Sequence, residues 1–183
     1  SAICKFFPLW PNGGSVGIAM VPIIILSYRR GLLCGLLGGF LVGLLDMLDG
    51  VDLSPLAVNG WMVLASVLLD YILAWTLVGF SGVVGSKVRH AKSKTSLCAW
   101  GVLGVVIGGG ARFVSHFLSG MYMWEKGTEV LNIALDLDHW LYSLLYNGSY
   151  LLPCIVLCGI LVPLLLMYQP RLLVENENLE AIR

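Results

Sequence analysis

Leu97–Trp124, LCAWGVLGVVIGGGARFVSHFLSGMYMW, is the stretch that decides the fold. Its length and apolar character predict one helix of about 42 Å, more than enough to cross the hydrocarbon core of a bilayer. Yet Arg112 and His116 lie well inside its ends, and it finishes on Trp124. A charged side chain at mid-membrane costs about 3 kcal/mol even on the cheapest insertion scale, so it persists where it faces a polar cavity or a partner inside a bundle. This helix therefore lines something.

Composition agrees with that reading. With 58% hydrophobic residues, 12% charged residues and a mean hydropathy of +0.87, the chain has too little polar surface to cover a water-soluble globule. It is expected to be all-α, a polytopic membrane helical bundle forming a single integral-membrane domain over residues 1–183. No glycine-rich phosphate loop ending in Gly-Lys-Ser/Thr occurs, so ATP hydrolysis by that route is excluded.

Outward from the opening stretch, the spans follow from apolar runs and their breakers. Ser1 to Trp10 reads as the outer end of a helix, stopped by Pro8 and Pro11 before Asn12-Gly13-Gly14. Gly17 to Tyr28 is a short helix containing Pro22, Gly31 to Leu48 follows, and Trp61 to Ser86 is the next span, interrupted by Asp70. An uncharged run from Trp140 to Pro170 holds the last span. Basic residues cluster at Arg29/Arg30, at Lys87, Arg89, Lys92 and Lys94, and at Arg171. They alternate with acidic positions at Asp49/Asp52 and from Glu125 to Asp138. Basic loops stay cytoplasmic, so the acidic set is expected outside and the C-terminus inside a bacterial plasma membrane. Counting back, six transmembrane helices are expected in the complete protein, the first largely missing from this sequence.

Small residues recur at Gly31, Gly35, Gly39 and Gly43, and again at Gly104, Gly108 and Ala111, stripes that let helix backbones approach in lipid and are expected to pack internally. Cys4, Cys34, Cys98, Cys154 and Cys158 lie in apolar surroundings without metal-type pairing and read as filler; no metal is expected. Asn147-Gly148-Ser149 fits a glycosylation sequon, which is discounted for want of a secretory context.

The remaining polar and aromatic residues carry the chemistry. Asp70, with Tyr71 beside it, is an intramembrane carboxylate that either pairs with Arg112 to hold two helices together or faces a cationic ligand; both readings stay open. His116 lies one turn from Arg112, and Trp124 lies two turns further along, within about 80° of His116 on a helical wheel. Such a tryptophan is either an interfacial anchor or a platform for a flat or cationic aromatic ligand. Tyr142, Tyr146 and Tyr150 recur at four-residue spacing, a pattern of belt or core, while Asn147 between them offers a carbonyl and an amide suited to an aminopyrimidine edge.

Together these residues resemble the thiamine-specific substrate-binding subunits, or S components, of energy-coupling factor (ECF) transporters. The resemblance covers most of the chain. It is carried by Arg29-Arg30-Gly31 and its glycine-rich helix, by Asp70-Tyr71 in mid-span, by Arg112 and His116 followed by Trp124, and by Tyr142 followed by Tyr146-Asn147-Gly148-Ser149-Tyr150. It implies a six-helix bundle with a thiamine pocket near the outer face, capped by the loop after the first helix. Asp70 would meet the thiazolium, Trp124 would stack on a ring, His116, Tyr71 and Tyr142 would line the site, Asn147 would bind the aminopyrimidine, and Trp10 would sit in the cap. The implied partners are a transmembrane coupling protein and two cytoplasmic ATPases, with this chain a transport subunit and not an enzyme, needing no cofactor beyond its ligand.

One departure stands out: the family usually has Glu where this chain has Asp70, shortening the reach by one methylene. Three rivals remain open at this level. The same fold could serve another vitamin such as riboflavin or biotin, the polar set could be glue in a membrane scaffold, or His116 and Asp70 could drive an intramembrane enzyme with Ser115 or Ser119 as nucleophile. In the last case Ser115 points about 100° away from His116 on the helix.

Overall fold

A computed structural model describes residues 5–7, 14–48, 50–51, 59–124, 129–130, 133–134 and 136–173. Helix α1, Met20–Arg30, tolerates Pro22 because that residue falls in the first turn, where the backbone N–H has no intrahelical partner. It ends on Arg29 and Arg30 at Gly31, whose φ of 88° redirects the chain straight into α2, Leu32–Leu48. Helix α3, Gly60–Arg89, starts at Asn59, whose side chain accepts from Trp61 N at 3.0 Å. Its winding is uneven. Val67–Leu73 is π-helical, and Gly79–Val84 tightens to a 3-10 helix. Helix α4, Lys94–Tyr122, is capped by Ser93, and α5, His139–Tyr168, runs through Pro153 and Pro163 to a 3-10 turn at Pro170–Leu173.

The expected all-α membrane bundle is what the chain forms, and three helices, α3, α4 and α5, are each long and apolar enough to cross a bilayer. Polarity is arranged for lipid. Leu33 (69% exposed), Leu45 (62%), Val156 (60%) and Ile160 (55%) lie on the outside, while Tyr28, Val78, Val105, Leu151 and Val162 form the interior. In water such a surface would drive aggregation; in hydrocarbon it is the solvent-facing side.

One segment differs from expectation. Lys5–Phe7 is not the end of a helix but a strand, β1, paired antiparallel with β2, Val16–Gly17, in the register Lys5 to Gly17 and Phe7 to Val16. Pairing with Val16–Gly17 satisfies the backbone groups of this segment instead of a helical ladder, which Pro8 could not have continued. A second short ladder joins β3, Glu129–Val130, to β4, Ile133–Ala134.

The glycine stripe on α2 packs internally, as its spacing predicts. A methyl on Gly39 would strike the Trp75 carbonyl, and one on Gly43 would come within 2.6 Å of the Tyr71 carbonyl, so α2 and α3 touch backbone to backbone. On α4, a methyl on Gly108 would lie 2.5 Å from the Val78 carbonyl, drawing α4 onto the same stretch of α3. These approaches press Asp70 of α3 toward the polar face of α4. At the opposite end, Arg89 donates to the Tyr28 carbonyl and α1 touches the Pro170–Leu173 turn, so the three basic positions gather at one end of the bundle.

Candidate functional site

The site starts from the π-helical turns around Asp70. Widening a helix shifts its carbonyls out of the regular ladder, and the Leu69 carbonyl is met by the Ser115 hydroxyl of α4 at 2.7 Å. That contact sets the two helices in register. Asp70 then faces four donors. Its Oδ2 accepts from Ser119 Oγ at 2.6 Å, Ser66 Oγ at 2.8 Å and Trp124 Nε1 at 2.9 Å, and Oδ1 lies 3.0 Å from His116 Nδ1. A carboxylate only accepts and offers about four lone-pair positions, two per oxygen. Oδ2 is saturated, whereas Oδ1 keeps room for one more partner. Both Asp70 and His116 are largely enclosed, at 13% and 11% side-chain exposure.

Trp124 is not on the helix where its spacing placed it. Helix α4 ends at Tyr122, Met123 N donates back to the Ser119 carbonyl, and Trp124 lies just beyond. Leaving the helix lets the indole reach Asp70, so Trp124 is tied into the interior and is not a free interfacial anchor.

Arg112 does not pair with Asp70. Its guanidinium carbon sits 3.7 Å from the centre of the Trp75 ring, and its Nε faces His116 Nε2 at 3.4 Å. Trp75 Nε1 in turn donates to Asp46 Oδ2 on α2 at 2.9 Å. Among the described residues, the ion pair at Asp70 is with His116, and Arg112 is connected to it only through the imidazole.

The aromatic wall comes from α5. Tyr142 and Tyr146 stack at 5.7 Å, Tyr146 meets Tyr150 edge-on at 6.2 Å, and Tyr150 meets the His116 ring edge-on at 6.1 Å. Asn147 is buried among them. Its amide nitrogen reaches the Ser143 carbonyl and hydroxyl at 3.0 and 3.2 Å and the His116 carbonyl at 3.3 Å, and its Oδ1 accepts from the Tyr150 hydroxyl at 2.8 Å. One lone pair of Oδ1 remains. Burial within α5 also disposes of the sequon, since no glycan could be attached there.

The predicted residues thus separate into three groups. Asp70, His116 and Trp124 are joined directly, and Asn147 and Tyr142 belong to the adjoining wall. Tyr71 shares the widened turn with Asp70 and is partly buried, while Trp10 lies outside the described residues. Sequence reasoning missed Ser66, Trp75 and Asp46. Ser66 stands one turn before Asp70, a spacing that could have announced it; Trp75 and Asp46 gave no comparable signal. Cys154, read as filler, also has a role: its thiol accepts from Gly17 N at 3.3 Å and donates to the Ser15 carbonyl at 3.5 Å, holding the chain before α1 against α5.

Residues 1–174 match the family model described as Thiamine transporter protein (Thia_YuaJ). The chain belongs to that family. It is similar to the thiamine transporter ThiT of Bacillus subtilis, 38% identical over 182 residues, covering 96% of this chain and 86% of that one. ThiT of Lacticaseibacillus paracasei is 32% identical over 171 residues, covering 87% and 76%. A solved structure of ThiT from Listeria monocytogenes superposes with a TM-score of 0.75 at 28% identity, covering 92% of this chain and 87% of that chain. Membership of the thiamine transporter family bears out the resemblance read from Asp70-Tyr71, His116, Trp124 and the Tyr142 to Tyr150 run.

Proposed function

We propose that this protein is the membrane-embedded thiamine-binding subunit of an ECF-type importer, capturing the vitamin from outside and handing it to a transmembrane coupling protein driven by two cytoplasmic ATPases. The observation that carries the reading is the Asp70 carboxylate, held by Ser66, Ser119, Trp124 and His116 with Oδ1 still able to accept a partner. A flat monocation is the complement of that arrangement. The thiazolium meets Asp70, the Trp124 indole and His116 ring flank it, and the free lone pair of Asn147 accepts from the aminopyrimidine amine, with Tyr71 and Tyr142 as walls and Trp10 in the cap. Bacterial plasma-membrane insertion with the basic end, and hence the C-terminus, on the cytoplasmic side puts Asp70 and Trp124 toward the outside.

Both ring nitrogens of His116 are engaged, Nδ1 by Asp70 and Nε2 by Arg112, while the Ser115 hydroxyl is on Leu69 and the Ser119 hydroxyl on Asp70. That weighs against a serine nucleophile with His116 as its base, and supports binding groups in place of an acid and base.

Titration calorimetry on detergent-purified, ligand-free protein tests the reading. Thiamine should bind tightly, and Asp70→Ala should weaken it at least about a hundredfold, the scale of losing a charge-assisted partner of about 2.7 kcal/mol. Undisturbed thiamine binding in Asp70→Ala would refute the site. Binding of riboflavin or biotin in place of thiamine would keep the fold and change the cargo. Co-purification with a coupling protein and ATPase pair, and its absence, decide the ECF assignment.

A further inference from the structure

Arg112 is a cation of the polar interior that the proposed ligand does not explain. Its guanidinium has five N–H donors and no acceptor. The nitrogen of His116 that faces it, Nε2 at 3.4 Å, must therefore present a lone pair, because an N–H there would point donor against donor. With Nε2 unprotonated, the ring proton lies on Nδ1, aimed at Asp70 Oδ1 at 3.0 Å. Arg112 is fixed from behind by the Trp75 ring, which Asp46 anchors from α2. We propose that Arg112 is a positioning residue that holds His116 as its neutral Nδ1–H tautomer, leaving the connected polar set with one net negative charge to match a ligand carrying one positive charge.

The charge count follows from the groups that face this chain. On α2 stands Asp46, on α3 Asp70, on α4 Arg112, and on α5 Tyr150, which meets the His116 ring edge-on. Arg112 lies within electrostatic reach of Tyr150, Cys154, Asp46 and Cys158. Tyrosine and cysteine are uncharged at neutral pH in their ordinary forms, so Asp46 is the standing anion that balances Arg112. Among the described residues of the network, Asp70 is then the anion left over. Were His116 protonated, its charge would cancel Asp70, and a cationic ligand would enter a site with no net attraction.

This inference rests on the proposed thiamine site and deepens it. The first test reads the intact network: nitrogen-15 NMR of wild-type protein labelled at its three histidines, with the His116 signals assigned by their loss in a separate His116→Gln sample. The expected spectrum at pH 7 has a protonated Nδ1 and a bare Nε2. An imidazolium or an Nε2–H form at pH 7 overturns the proposal. The second test measures thiamine affinity against pH. Arg112→Gln combined with Asp46→Asn preserves the charge sum but removes the cationic donor that faces His116 Nε2. Wild-type affinity should change less than about threefold between pH 6 and 8, and the double variant should lose about tenfold toward pH 6, as a proton on His116 competes with the ligand for Asp70. A neutral isostere with thiophene in place of thiazolium should show no such slope. A purely structural Arg112 would weaken both ligands equally at every pH, and a flat thiamine profile in the double variant overturns the positioning role. Loss of binding in Asp70→Ala beside that flat profile would sink the role of Arg112 alone; unchanged binding in Asp70→Ala would sink the thiamine site and this inference with it.

Discussion

The Trp124 indole donates to Asp70 Oδ2 at 2.9 Å across 54 residues of sequence. That bond joins the chain just past α4 to Asp70 of α3, so the indole helps to orient the carboxylate. Two properties of the indole are separable by substitution. Trp124→Phe keeps an aromatic face and removes the donor, and should weaken thiamine binding about tenfold, near the 1.5 kcal/mol of one charge-assisted bond. Trp124→Ala removes the face as well and should lose a hundredfold or more. Calorimetry on both variants checks this; equal losses would mean that stacking contributes nothing.

Asp70 is one methylene shorter than a glutamate, and its environment makes the outcome of exchange specific. Three donors converge on Oδ2. Asp70→Glu retains the charge, and the added methylene can be taken up by rotation of the serine hydroxyls, so affinity should stay within about tenfold. Asp70→Asn is the harsher change, because it removes the charge and, with the amide oxygen kept toward Ser66, Ser119 and Trp124, turns its NH2 against the Nδ1 of His116. It should lose thiamine binding by more than a hundredfold and lower stability by about 1–3 kcal/mol, read as a fall in thermal midpoint in detergent.

Much of this was legible before any coordinates, and the reasons are physical. Membrane helices announce themselves because every backbone group must be satisfied internally while side chains stay apolar, which writes long uninterrupted runs. Intramembrane charges are equally visible, since Asp70, Arg112 and His116 stand out against leucine and glycine. The connections between them were not. Helical geometry assigned Trp124 to a face of α4, but the helix ends at Tyr122 and the indole arrives by another route. Asp70 and Arg112 looked like natural partners by charge alone, whereas the π-helical turns of Val67–Leu73 present Asp70 to His116 instead. Period and composition carry no signal for such a widening. Nor could they place Trp75 between Asp46 and Arg112, a contact made only when the α2 glycines bring two backbones together.

Those glycines predict opposite results for one kind of mutation. A methyl on Gly39 would run into the Trp75 backbone, while one on Gly110, in α4, meets nothing within 4 Å. Replacing glycine by alanine inside a helix ordinarily favours folding by up to about 1 kcal/mol. Gly110→Ala should therefore leave the thermal midpoint unchanged or raised. Gly39→Ala must push α3 away from α2, displacing Trp75 and with it the support of Arg112, and should lower the midpoint by at least about 5 °C. Comparable midpoints in the two variants would show that the α2 to α3 approach is looser than the backbone contacts require.

The segment before α1 offers the last test. Gly14 has φ of 108°, and a methyl there would also press on the Tyr150 ring at 3.0 Å, while Ser15 and Gly17 are hooked to the Cys154 thiol. Tyr150 in turn holds Asn147 Oδ1 and abuts His116. Gly14→Ala therefore strains the backbone and pushes the segment off the aromatic wall at once. If that segment closes over the ligand, its lifting should speed thiamine dissociation about tenfold in stopped-flow tryptophan fluorescence, with a smaller effect on association. Cys154→Ala removes only two weak sulfur contacts and should act in the same direction by a few fold. Dissociation rates unchanged in both variants would show that the Gly14 to Gly17 segment does not gate the site, and that whatever retains the ligand lies elsewhere in the bundle.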